Sequence, residues 1–132
     1  MVEHLLKFTA PAGYALLPSN MRSARASAML MAIALQESKA TVRRQAEGGP
    51  ARSFWQFERG GIIGVVNHPS TRSAIREVLA SLCYSIEGFT GDEIVRVVYT
   101  AVEHNDTLAF CIGRLLLYTL PSPLPENYSP DE

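Results

Sequence analysis

Glu37 closes the apolar helical run AMLMAIAL (Ala28 to Leu35) by two residues, and a Gly-Pro-Arg loop later delivers the aromatic cluster Phe54-Trp55-Gln56-Phe57. A carboxyl at the C-terminal end of a helix meets the negative end of the macrodipole, and apolar neighbours also disfavour its charge. Both conditions suit a general acid. Arg43 and Arg44 act against them if they pair with Glu37, and an ordinary surface ion pair is then its whole role. The flat face of Trp55 suits stacking on the apolar side of a sugar ring, and the Gln56 amide can bond a hydroxyl or acetamido group. The plainer alternative is that Phe54, Trp55 and Phe57 fill a small core beneath the loop. Alternation along an extended segment puts Phe54 and Gln56 on one side and Trp55 and Phe57 on the other.

The elements that position these residues are mostly helical. Ser19, after Pro18, is a good N-cap for a helix running to about Ser38, and its apolar centre predicts burial on all sides. Between Thr41 and Gly61 the helical pattern stops, and SFWQF reads as a short strand or extended piece between glycine-rich turns. GGIIGVVNHP, Gly60 to Pro69, reads as a loop with one helical turn. Ile75, Val78, Leu79, Leu82, Cys83 and Ile86 then mark a helix capped by Ser70 or Thr71. Another starts after Thr90-Gly91, with Ile94, Val97, Val98, Ala101 and Val102 inward. A last one is capped by Asn105 or Asp106 and buries Leu108, Cys111, Ile112, Leu115 and Leu116. The expected class is mainly α, with a short extended or β insertion after the central helix. Residues 1–18 read as an N-terminal arm, 19–120 as the helical domain and 121–132 as a proline-rich tail.

At 132 residues and 47% hydrophobic content, the chain supports one core. Its longest apolar run is far short of the ~20 residues that span a bilayer, so no transmembrane segment is expected. No secretory signal is readable either. Cys83 and Cys111 fall on apolar helix faces and are expected as unpaired thiols. No Cys/His spacing suggests a metal, and no cofactor is called for. The segment from Arg22 to Arg76 holds nine basic residues against three acids, +6, which leaves −7 elsewhere for the chain's net −1. That excess suits either a polyanionic partner or an ordinary solvated surface. Nucleic acid is not the expected partner: STRSAIREVLASL lacks the glycine-bearing turn that precedes a recognition helix.

The order of apolar helix, Glu37-Ser38, polar glycine-containing loop and aromatic-flanked Gln56 resembles the lysozyme-like superfamily, which includes lytic transglycosylases and goose-type lysozymes. LQES…RRQ…GGPARSFWQFERGG…HP is more narrowly similar to small lysozyme-like proteins of bacteriophages and prophages. The motif-bearing part spans Ala28 to Pro69. The resemblance implies a lysozyme-like fold that cleaves peptidoglycan, with Glu37 as catalytic acid, Gln56, Trp55 and Ser38 as substrate-binding residues, and Ser38 also capping or orienting the motif. It further implies synthesis in a bacterial cytoplasm, with access to the wall from a virion or through a phage-made pore, and virion proteins as further partners. The chain departs from the family in lacking a Tyr-Asn-Ala-Gly element; Tyr99 and Tyr118 are the loose substitutes. No second carboxylate is marked, with Glu47, Glu58 and Asp106 all open, while His68 and His104 read as structural or solvent-facing. A single acid suits transglycosylation, in which the acetamido group and the 6-hydroxyl of the substrate complete the reaction. Hydrolysis needs a second carboxyl, ~5–5.5 or ~6.5–9.5 Å away. A catalytically silent phage structural or assembly protein with the same fold is the alternative.

Overall fold

Helical periodicity becomes six helices in the computed structural model, which describes residues 1–120. Three consecutive segments, Val2–His4, Leu5–Thr9 and Ala10–Leu16, run on as one helix, α1. The others are α2 (Ala24–Ser38), α3 (Arg59–Asn67), α4 (Arg72–Ser81), α5 (Gly91–Ala101) and α6 (Asp106–Tyr118). No strand forms among the described residues; the only β pairing is isolated, Arg44 with Arg52 and Arg52 with Phe57.

The last helix is the hub. Every residue from Leu108 to Leu115 on α6 is buried, so it must be surrounded. It packs against α1, α2, α3 and α4, while α5 lies on α3. Burying each large aliphatic side chain contributes about 1.5–3 kcal/mol. The approach of α1 requires a glycine: a Cβ on Gly13 would stand 2.5 Å from the Phe110 ring. Tyr14 also donates to the Ser23 carbonyl at 2.9 Å, tying α1 to the start of α2.

Residues 1–18 are not an arm: Leu5, Thr9, Ala10, Tyr14 and Leu17 are buried in the body. Pro11 and Gly13 read as breakers, but the stretch just before Pro11 is π-wound, where a regular α-turn would set the proline ring against the Lys7 carbonyl. The next helix begins after Ser23, not Ser19, and the Ser23 hydroxyl accepts from the Ala26 N–H at 3.1 Å. It is buried on one side only, through Ala26, Leu30, Met31 and Ala34, with Leu35 exposed. The stretch after Gly60 is a full helix despite its glycines, because burial of Ile62, Val65 and Val66 outweighs a propensity cost of ~1 kcal/mol per glycine.

Thr90 and Glu93 form the reciprocal cap that opens α5, and Asn105 caps α6. Cys111 is buried, and burial pushes its thiol up to about 12. Cys83, by contrast, is exposed, because α4 ends at Ser81 and turns it off the apolar face. No helix among the described residues is long and apolar enough to cross a membrane. The proline-rich tail, 121–132, lies outside the described residues.

Candidate functional site

Helix α2 ends in a left-handed closure. Lys39 and Ala40 both have positive φ, 55° and 53°, and the Ala40 N–H returns to the Ala34 carbonyl at 3.1 Å. This stops the chain immediately after Glu37-Ser38. The Ser38 hydroxyl is buried and donates toward the Ala34 carbonyl at 3.0 Å and the Phe54 carbonyl at 2.6 Å. Ser38 is thus a tie between helix and loop, and the substrate contact expected of it is ruled out by its burial.

The aromatic cluster is a tight clasp, not a strand. Arg52 and Phe57 exchange both backbone hydrogen bonds, at 2.8 and 2.7 Å, and the chain reverses between them. Ser53 and Gln56 pay for the reversal with left-handed φ of 70° and 55°. Because the segment turns, period-two alternation fails: Phe54, Trp55 and Phe57 are all buried. The Trp55 indole N–H donates to the Leu30 carbonyl at 2.7 Å. Its ring stacks on Phe57 with centroids 6.4 Å apart and meets Phe110 edge-on at 6.2 Å. At 3% exposure Trp55 offers no open stacking face, so it is a wall and an anchor, contrary to expectation. Gln56 stays half-exposed. Its amide nitrogen donates to the Ser53 carbonyl at 2.7 Å, and its carbonyl oxygen has no partner among the described residues.

Glu37, Trp55 and Gln56 nevertheless line one open groove of about 360 Å³. Helix α2 supplies Leu30, Ile33 and Glu37, and the clasp supplies Trp55 through Glu58. Gly61, Gly113, Leu116 and Leu117 complete the lining. Glu37 is exposed and in no ion pair among the described residues, so the partial desolvation expected of it is not met. The accessible apolar wall is Ile33, Leu116 and Leu117, which sequence reasoning missed because leucines at the end of an apolar helix read as core.

The arginines that threatened Glu37 are engaged elsewhere. Arg43 makes a bidentate pair with Asp106, 3.1 and 2.8 Å, and lies over the Phe54 ring. Arg44 pairs bidentately with Glu103, which Arg52 and His104 also approach, at 4.0 and 2.8 Å. Tyr99 donates to the Pro50 carbonyl and carries Arg52 and Arg59 over its ring. Much of the basic excess is therefore spent in a clamp holding the loop to α5 and α6. Hydrogen bonding from Arg44 holds the Glu103 carboxyl below the usual glutamate range, against burial, which raises it. Tyr99 belongs to this clamp and Tyr118 does not line the groove, so neither takes the tyrosine role suggested for it.

A larger cavity, about 920 Å³, opens near the start of α6 around Tyr84, Arg96, Thr100 and His104. Its one carboxylate, Asp106, is already held by Arg43. The smaller groove has two carboxyls and an amide oxygen without partners among the described residues, and is the better candidate for chemistry. Among the described residues, no three His, Cys, Asp or Glu side chains gather as a metal site. No family model, curated protein or solved structure matches this chain.

Proposed function

We propose that this protein is a lysozyme-like glycosidase acting on the glycan strands of peptidoglycan, with Glu37 as its general acid. One observation carries the reading: Glu37 and Gln56, far apart in sequence, meet in an open groove with an apolar wall. That combination suits a sugar chain, whose rings have apolar faces and whose rims carry hydroxyl and acetamido groups. The proton-bearing Glu37 gives its proton to the bridging oxygen as the bond to the sugar carbon breaks and its electron pair passes to that oxygen. Gln56 accepts a hydrogen bond from a hydroxyl or acetamido N–H, fixing the ring beside the acid. The loop sequence that resembles small phage and prophage proteins fits a role in which wall access comes from a virion or a phage-made pore.

Purified protein is expected to release soluble muropeptides from isolated cell walls. Glu37→Gln should lower that release at least ~100-fold, the usual worth of a positioned acid, with the thermal midpoint unchanged because the side chain is exposed and in no ion pair among the described residues. Unimpaired release by the variant removes Glu37 from the mechanism. No release by the wild type from several wall types returns the chain to the alternative, a silent phage assembly module.

A further inference from the structure

The sequence leaves Glu47, Glu58 and Asp106 as equal candidates for a second carboxylate, and the geometry separates them. Asp106 is locked in its bidentate pair with Arg43. Glu47 is exposed on the 3₁₀ turn Ala46–Gly48 and does not line the groove. Glu58 does line it, with Glu37. Its neighbour Arg59 is turned onto the Tyr99 ring at 4.5 Å, so the adjacent cation does not claim it. Glu58 stands at the N-cap of α3, yet its side chain makes no capping hydrogen bond, and it joins no ion pair among the described residues. A carboxyl that neither caps its helix nor pairs with a cation among the described residues, and that lines the same groove as Glu37, is available for chemistry.

We infer that Glu58 is the second catalytic carboxylate, acting as base toward a water molecule, and that the enzyme hydrolyses its substrate instead of forming an anhydro ring. The inference rests on the glycosidase reading of Glu37. The two carboxyls lie at opposite helix ends: Glu37 in the last turn of α2, where the dipole is negative, and Glu58 just before the first turn of α3, where it is positive. In the step, the Glu37 proton goes to the leaving oxygen as the glycosidic bond breaks. A water oxygen bonds to the sugar carbon while Glu58 takes one water proton. Return of that proton to Glu37 through solvent restores the site. One water is consumed, and a reducing end is produced.

The test uses the full chain on purified cell walls in ¹⁸O-labelled water, with products analysed for their new ends. Wild type should yield borohydride-reducible ends carrying one ¹⁸O. Glu58→Gln should lose at least ~100-fold in release with an unchanged thermal midpoint. Glu58→Ala, equally slow, should be rescued by azide, with a glycosyl azide among the products. Anhydro ends from the wild type, undiminished release by Glu58→Gln, or loss of activity that azide does not restore each overturn the role of Glu58. In all three cases, a Glu37-dependent release leaves the glycosidase reading standing; no release from the wild type overturns both.

Discussion

At Gln56 the backbone takes φ 55°, a conformation that costs a side-chain-bearing residue about 1–2 kcal/mol. The double Arg52–Phe57 pairing and the amide bond to Ser53 enforce it. Strain of this kind collects at functional sites, and here it leaves an amide oxygen beside the groove with no partner among the described residues. Gln56→Gly separates the two effects. Glycine adopts this φ without a Cβ clash, so the thermal midpoint should hold or rise. Muropeptide release should fall about tenfold, the equivalent of one hydrogen bond of ~1.4 kcal/mol. A lower midpoint with undiminished release would make Gln56 a structural residue alone.

The element that matters most is the loop between α2 and α3. It contains neither helix nor strand of any length, so its shape depends on what it is fastened to. Ser38 and the Trp55 N–H fasten it to α2, while Tyr99 fastens it to α5, Arg44 to Glu103 in the turn that follows, and Arg43 to the start of α6. Glu103 gathers most of this clamp. Its folded-state acidity is stronger than the unfolded chain's, so its stabilising contribution is present above the ordinary glutamate range, about 4.3, and is lost as pH falls through the lower folded value. Wild type and Glu103→Gln should therefore differ in thermal midpoint at pH 6–7, the wild type being higher, and converge in acid. A difference that persists unchanged at low pH would mean that shape, not charge, makes Glu103 useful. Added salt should narrow the gap at neutral pH as well, since Arg44 is largely exposed.

The whole molecule is arranged around α6, which touches four helices and also lends Leu116 and Leu117 to the groove. Stability and site shape are therefore coupled through one element. Gly13→Ala tests the hub: the new methyl would stand 2.5 Å from the Phe110 ring, which is itself packed against Tyr14 and Trp55. Overpacking of this kind costs about 1–3 kcal/mol, and chemical denaturation should show a loss in that range. An unaltered unfolding midpoint would show that α1 can move away from α6 at no cost.

Helices α5 and α6 were legible because their apolar spacing and caps agree, and α4 from its spacing alone, since Thr71 turns its hydroxyl to the Val65 carbonyl instead of capping and the helix stops at Ser81; local signals also marked Glu37 and Gln56 as residues worth pairing. Helix α1 and the start of α3 were hidden because proline and glycine weigh against a helix locally, and burial, a non-local term, reverses that weight. Whether Glu37 met an arginine was likewise beyond reach, since its rivals Glu103 and Asp106 are distant in sequence and close only in the fold. Local residue chemistry thus determined which ionisable and polar groups were worth considering together. Tertiary packing decided which of them were left unpaired: an ion pair depends on separation in space, which short-range spacing along a chain does not encode.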